Sequence, residues 1–341
     1  MTEFILPPLR PVLKRSHGIG IVGAGSIVRS AHLPAYRKAG FPVAAIFDAD
    51  PARAAEAAAE FGIPRVHARL DDLLTDSLVE VVDIAVPPSC QPEIVHRAIA
   101  SKKHLLCQKP LALSLAAAEA MLAAAREARV KLAVNVNMRW DPAMRAVRVL
   151  LKEGRIGELK SARFDIHYYE NWRFWPWLLD SPRLMILVDT IHILDITRTL
   201  FGEPVAVSAS AHHGDAGLAG ETSAFIRMDY EDGATVVIDE DSTIPAEHTA
   251  ARFHFEGTRG KLAGTLGIYY DYPTGRPDTL EVAPDEVISF SERWIPDAFM
   301  ATMHELLRAI EEDSVPENSG EDHLKTLELI ERIYSATETP R

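Results

Sequence analysis

From Gly18 to about Asn137, short apolar runs rich in β-branched residues alternate with alanine-rich stretches of helical periodicity. Gly18 to Val22, Val43 to Phe47, Val79 to Val86, His104 to Cys107 and Leu132 to Val136 are too continuously apolar to leave one face wet, which predicts buried strands. Between them Pro51 to Phe61, Pro92 to Ser101 and Ser114 to Arg129 predict helices, with Pro51 in a first turn and Ser114 as an N-cap. Strand and helix in alternation require parallel crossovers, hence an α/β unit built on a doubly wound parallel sheet.

After a further helix expected over Pro142 to Glu153 the texture changes. Leu159 to Tyr169, Val205 to His212, Ser223 to Tyr230, Ala234 to Asp241 and Ala251 to Glu256 are longer, partly alternating runs, and Asp232-Gly233 between two of them is a hairpin signal. They predict a large, mostly antiparallel open sheet with one face on helices. The other face is free to meet a second copy of the chain, so a homodimer or homotetramer is expected. Two amphipathic stretches, Ala298 to Glu311 and Asp322 to Ser335, close the chain. The expected division is 1–138, with a short N-terminal arm over 1–16, and an α+β domain over 139–341.

Composition narrows the function classes. With 47% hydrophobic and 25% charged residues the chain can bury a core, and its 341 residues suit two domains. The 36 basic against 49 acidic side chains repel a phosphate backbone, which argues against nucleic acid as a partner. Two cysteines, Cys90 and Cys107, form neither a disulfide framework nor a metal-ligand repeat. No run of about 18 apolar residues calls for a membrane span. Pro7, Pro8 and Pro11 near the start do not suit an export signal, so the expected address is the cytoplasm.

Gly23-Ala24-Gly25-Ser26-Ile27-Val28 follows the first strand and opens a helix, the context of a dinucleotide fingerprint. The first glycine allows the tight turn, and the second lets a pyrophosphate approach backbone N–H groups at the helix start. Val28 stands where a third glycine would serve helix–strand packing. The alternative is a plain strand–helix turn. Asp48, at the end of the second strand and about 20 residues further on, stands where an acid meets the adenosine ribose, which favours NAD over NADP. Arg53 is close enough in sequence for NADP to be tolerated. Ala85-Val86-Pro87-Pro88 ends another strand on the ligand edge, where Val86 and Pro87 would lie beneath a nicotinamide.

Lys109, in Leu106-Cys107-Gln108-Lys109-Pro110, emerges on the same edge. A lysine there is suited to moving a hydroxyl proton while hydride leaves the carbon, whereas a lone lysine elsewhere is a surface residue. Leu184 to Phe201 is an apolar helical pattern interrupted by Asp189, His192 and Asp195, at every third position and so on one face. A histidine among apolar neighbours serves as acid or base with a carboxylate fixing its tautomer; a core histidine with Asp195 as structural partner is the plainer alternative. A metal site from these three lacks an obvious further ligand, so no metal is expected. Tyr168 to Trp177 concentrates three of the five tryptophans, and Trp172, Arg173 and Asn171 there suit a polyhydroxylated ring, as they also suit a hydrophobic plug or subunit interface.

Taken together, Gly23-Ala24-Gly25 through His32-Leu33-Pro34-Ala35, Phe47-Asp48, Cys107-Gln108-Lys109-Pro110-Leu111-Ala112, Asn135-Val136-Asn137-Met138-Arg139-Trp140, Ile191-His192-Ile193-Leu194-Asp195 and Glu256-Gly257-Thr258-Arg259-Gly260 resemble the glucose-fructose oxidoreductase / inositol dehydrogenase / MocA family, over nearly the whole chain. The resemblance implies an N-terminal Rossmann domain, an α+β domain with the active site between the two, an NAD(P) cofactor, and oxidation or reduction of a sugar, inositol or related polyol. It implies Lys109 and His192 as catalytic, Asp189 beside them, and Asn137 near the nicotinamide, with Gln91 and Gln108 in the same stretch of cofactor contacts. Three departures stand out. Gln108 replaces a glutamate, Gln91 stands where a histidine is frequent, and Val188 replaces the aspartate four residues before His192. An NAD-dependent glycosidase using transient oxidation and a catalytically silent NAD-binding regulator are the rival expectations.

Overall fold

The computed structural model describes residues 6, 16–215, 217–272, 275–282 and 286–337. The expected arm 1–16 therefore lies outside the described residues except for Leu6 and Ser16. The chain divides into two compact units: one runs up to Asn137 and takes in Pro296–Leu327, and the other comprises Met138–Ile295 and the chain from Glu328.

The first unit is the doubly wound one. Its parallel strands β1 (Ile19–Val22), β2 (Val43–Phe47), β3 (Val81–Ile84), β4 (His104–Cys107) and β5 (Leu132–Val134) lie in the order β2-β1-β3-β4-β5. A single-residue parallel bridge, Ile46 to Val66, adds a further strand position beside β2, held by Ile46 N donating to Arg65 O at 3.0 Å and His67 N to Ile46 O at 3.0 Å. The strand order then reverses between β1 and β3, the switch point where open α/β sheets collect ligands. The crossover helices are α1 (Leu33–Ala39), α2 (Pro51–Phe61), α3 (Leu70–Thr75), α4 (Gln91–Ala100) and α5 (Leu115–Ala128). Pro51 begins α2 and Ser114 caps α5, its Oγ accepting from Ala117 N at 3.3 Å. α3 was not foreseen, since six residues are too few to show a period.

The second unit opens with α6 (Pro142–Lys152) and contains β6 (Leu159–His167), α7 (Ile191–Phe201), β7 (Ala206–His212), β8 (Ser223–Asp229), β9 (Thr235–Asp241), β10 (Ala250–Gly257), β11 (Lys261–Thr265), β12 (Thr279–Val282) and β13 (Glu286–Ser289). They form one eight-stranded sheet in the order β13-β12-β11-β10-β6-β9-β8-β7, antiparallel except for the β6–β9 pair. Period-two alternation assigns the faces: Ala162, Phe164 and Ile166 point inward and are buried, while Arg163, Asp165 and His167 point out. The Asp232-Gly233 turn joins β8 to β9, with Gly233 at φ 83° and Ala234 N donating to Asp232 Oδ1 at 3.0 Å.

The helix expected over Ala298 to Glu311, here α8 (Phe299–Glu311), was placed by sequence in the domain 139–341 but groups with the first unit. Its apolar face supplies the reason: Phe299 packs edge-on against His32, and Thr302 donates to Asn135 Oδ1 at 2.8 Å. Among the described residues no helix is long and apolar enough to cross a membrane.

Candidate active site

In the first unit β1 runs directly into the glycine turn. Gly23 has φ 102°, and a Cβ there would lie 2.3 Å from the Ala85 carbonyl oxygen, so both conformation and space demand glycine. A Cβ on Gly25 would meet nothing within 4 Å, which leaves a bare approach to the helix that begins at Ser26. Ser26 is exposed, Ile27 half-buried, and Val28, in the third-glycine position, is fully buried in a one-turn wide helix, Val28–His32, that leads into α1. Asp48 ties the turn to β2, its Oδ2 accepting from Ala24 N at 2.6 Å and its Oδ1 from Asp50 N at 2.8 Å. A carboxylate has about four lone-pair positions, so capacity for ribose hydroxyls remains. Arg53 is an exposed partner of Asp50 at 3.5 Å. A bare second glycine, a free helix start and a strand-end aspartate fit the adenosine and pyrophosphate portions of a dinucleotide.

Further along the same carboxyl edge come Val86 and Pro87 after β3, and Gln108, Lys109 and Pro110 after β4. Lys109 is half-buried and joined to Pro110 by a cis peptide. The backbone around it is held closely. Gln108 N donates to Ile84 O at 2.9 Å, Lys109 N to Gln108 Oε1 at 2.9 Å, and Leu111 N to His323 Nε2 at 3.4 Å. Gln91, itself fully buried, donates its Nε2 to the carbonyls of Gln108 at 3.0 Å and Pro110 at 2.8 Å. Asn137, also buried, starts the short helical turn Asn137–Trp140 just beyond β5. All the sequence-chosen cofactor residues thus lie in one unit.

The second unit holds the other candidates. A wide helical turn, Ile186–Thr190, runs into α7 and carries Asp189 before His192. Asp189 Oδ2 accepts from the Tyr168 hydroxyl at 2.6 Å. Burial first, then the charge of Asp189, pushes the Tyr168 phenol well up, so it remains a donor. His192 is buried and meets Trp294 edge-to-face, centroids 5.4 Å apart; Trp294 meets Tyr269, and Tyr269 meets Tyr168 at 4.9 Å. Asp195 takes a bidentate ion pair with buried Arg139, at 2.6 Å to each oxygen, which gives it a structural anchor on a different helical segment. Among the described residues no group of three or more His, Cys, Asp or Glu could hold a metal ion.

Trp172 is buried and donates Nε1 to Ser242 Oγ at 2.9 Å, whereas Arg173 is exposed and forked onto Asp215 at 2.6 and 2.8 Å. The aromatic stretch is therefore divided between plug and surface, with Phe174 and Trp177 exposed. Glu170 within it was given no role by the sequence. Burial, then the charge of Asp189, lifts it from 4.5 to about 7. Tyr269, Glu240 and Trp294 were also missed, and nothing in their own sequence neighbourhoods relates them to His192. For Glu170 the signal was present in its position between two tyrosines and three tryptophans.

A switch-point glycine turn, an acid on the neighbouring strand end and a lysine on the ligand edge define a nicotinamide-dinucleotide-binding oxidoreductase with a separate α+β unit. The models of one family match both halves: an oxidoreductase family NAD-binding Rossmann fold over residues 17–136, and the oxidoreductase family C-terminal alpha/beta domain over residues 148–341. The chain belongs to this glucose-fructose oxidoreductase / inositol dehydrogenase / MocA family and is an NAD(P)-dependent oxidoreductase. It is 32% identical over 336 residues to a D-apiose dehydrogenase of Paraburkholderia graminis, covering 94% of this chain and 88% of that protein. It is 30% identical to a 1,5-anhydro-D-fructose reductase of Ensifer adhaerens, over 90% of this chain and 92% of that protein. Among solved structures, an oxidoreductase from Agrobacterium radiobacter in complex with NAD+, L-tartaric acid and magnesium superposes with a TM-score of 0.81 at 27% identity, covering 96% of this chain and 98% of that one.

Proposed function

We propose that the chain is a dehydrogenase or reductase of an uncharged sugar or polyol, with NAD as the preferred cofactor, Lys109 and His192 as the proton-handling groups and Asp189 as a further acidic group. The observation that carries the reading is the place of Lys109, on the carboxyl edge of the sheet whose first strand leads into the turn with the bare Gly25. Bound NAD supplies the hydride acceptor, and NADH the donor. Gly23, Gly25, Ser26 and Ile27 would hold the pyrophosphate, Asp48 the ribose, and Val86, Pro87, Gln91, Gln108 and Asn137 the nicotinamide end. Lys109, fixed through its backbone, holds the substrate hydroxyl and takes or returns its proton, with His192 as the second acid/base. The carboxylates and phenols about Asp189, namely Glu170, Glu240, Tyr168 and Tyr269, favour hydroxyl donors and disfavour an anion, which supports an uncharged polyol. The relatives named for D-apiose and 1,5-anhydro-D-fructose support the same class.

The test is absorbance at the NADH band with purified protein, NAD or NADH, and a panel of D-apiose, 1,5-anhydro-D-fructose, aldoses and inositols. Turnover that Lys109→Ala loses is the expected result. Sugar release from glycosides without NADH accumulation would overturn it in favour of the glycosidase chemistry. A homodimer or homotetramer through the outward sheet face accompanies this proposal. It is supported by the apolar side chains exposed on that face, Phe225 and Val287, and a monomer mass in light scattering would remove it.

A further inference from the structure

The residues behind Lys109 form a closed hydrogen-bond chain of unusual composition. The Lys109 backbone N–H is only a donor, so the Gln108 atom 2.9 Å away is the amide oxygen, and the amide nitrogen is left facing His32 Nε2 at 3.2 Å. An amide N–H there requires His32 Nε2 to accept. Asn135 Nδ2 faces the same His32 nitrogen at 3.3 Å, while its Oδ1 lies 2.8 Å from the Thr302 hydroxyl, which also reaches Phe299 O at 2.9 Å, so it is the Gln108 amide that fixes the ring. The ring proton then sits on Nδ1 and is donated to Asp83 Oδ2 at 2.7 Å, an oxygen that also accepts from the Tyr36 hydroxyl at 2.6 Å. His32, Asp83 and Tyr36 are all fully buried, and Phe299 closes the remaining side of the ring. Gln91 completes the arrangement from below by holding the carbonyls on both sides of Lys109.

We propose that Gln108 is a positioning residue for Lys109, holding its backbone and at the same time fixing His32 as the Nδ1–H tautomer, so that Lys109 rests on neutral amides where its family pattern sets a glutamate and a histidine. The positioning half rests on Lys109 being the acid/base proposed above; the tautomer half does not. A carboxylate in place of the Gln108 amide would still accept from Lys109 N but would present an acceptor to His32 Nε2, which must then gain a proton. Among the described residues Asp83 is a charge in direct contact with the ring, and the facing groups from the other elements include Tyr36, Gln108, Asn135 and Phe299. The support under Lys109 therefore keeps one hydrogen-bond pattern while the group above it changes protonation.

Two readouts test this on the full chain. In two-bond 15N–1H correlation spectra of histidine-labelled protein near neutral pH, native His32 should show a protonated Nδ1 and an unprotonated Nε2, and Gln108→Glu should add a proton at Nε2. Native His32 with its proton on Nε2 overturns the tautomer assignment without any substrate or variant. In turnover at saturating NAD, Gln108→Ala should lower kcat about tenfold, since misplacement of the reacting group is what is lost. Gln108→Glu, which keeps the contact to Lys109 N, should recover most of that loss. Equal kcat in all three proteins overturns the positioning role. If Lys109→Ala itself is fully active, the functional reading fails while the spectra still decide the tautomer.

Discussion

Around His32, in the unit that carries the glycine turn, one buried carboxylate is surrounded by amides, a phenol and a hydroxyl. Around Asp189, in the sheet unit, carboxylates and phenols crowd together: burial lifts Glu170 to about 7, and in the same unit a second buried pair has Asp278 raised to about 6 and Asp141 pushed well up by burial and the charge of Asp278. The first arrangement has the His32 ring proton assigned by the Gln108 amide, whose donor and acceptor roles do not change with pH. The second buries like charges, whose mutual cost is relieved by taking up protons. The difference teaches where pH dependence should originate: the group that positions Lys109 is insulated from it, and the acidic side is not.

The sharpest way to break the comparison is at its catalytic end. Lys109→Ala should lower kcat by about 10²–10⁴-fold, the range of a lost general acid or base, while NAD affinity measured by fluorescence stays within a few-fold of native. Loss of NAD binding alongside would mean that the lysine holds the cofactor rather than the proton. Next comes Asp48→Ala, which removes the anchor of Ala24 N and the acid facing the ribose. KM for NAD should rise by about tenfold or more, and the preference over NADP should shrink, because the carboxylate both accepts ribose hydroxyls and repels a 2′-phosphate. An unchanged NAD/NADP ratio would remove Asp48 from cofactor selection.

The two regions were not equally legible. The parallel strands announced themselves by continuous apolar runs, and the glycine turn, Asp48 and Lys109 sit at the ends of those strands, so local spacing was enough to find them. In the sheet unit β11 to β13 escaped notice: Lys261–Thr265 contains Gly264, and β12 and β13 are only four residues each. The site residues there meet through the tertiary fold. Tyr269 and Trp294 approach His192 from far along the chain, and the pairing of Asp195 with Arg139 rests on a contact between a turn and a helix that no period reveals. His32 stood within a recognised stretch, but its relation to Gln108 and Asp83 needed coordinates.

A smaller effect should separate the two regions by pH. Glu170 is raised by burial and by Asp189, so folding favours its protonated form. That contribution is fully present below the unfolded value of 4.5 and is lost as pH rises through about 7. Glu170→Gln keeps the shape and removes the charge. Its melting temperature should exceed that of the native protein by a few degrees at pH 8 and match it near pH 4.5, for a difference on the order of 2 kcal/mol. A constant offset at both pH values would show that the carboxyl is not the titrating group.

The smallest expected effect concerns Arg173, which the sequence pointed to as a substrate donor. Its guanidinium is forked onto Asp215, and the same ion pair, followed by the Gly217 N–H, holds the Asp215 carboxyl down at about 2. Gly217 makes room for it, since a Cβ there would lie 2.3 Å from Arg173 Nη2. The depressed carboxyl contributes to stability above its usual value and loses that contribution as pH falls toward 2, well outside the working range. Arg173 is exposed and Asp215 only half-buried, so Asp215→Asn should leave the melting temperature at pH 7 nearly unchanged. If Arg173 meets the polyol, releasing it from its fork should raise KM for the sugar by about two- to threefold with kcat unchanged. A KM equal to the native value in both Asp215→Asn and Arg173→Ala would instead leave the pair as surface structure and confine substrate recognition to Trp172, Asp189 and His192.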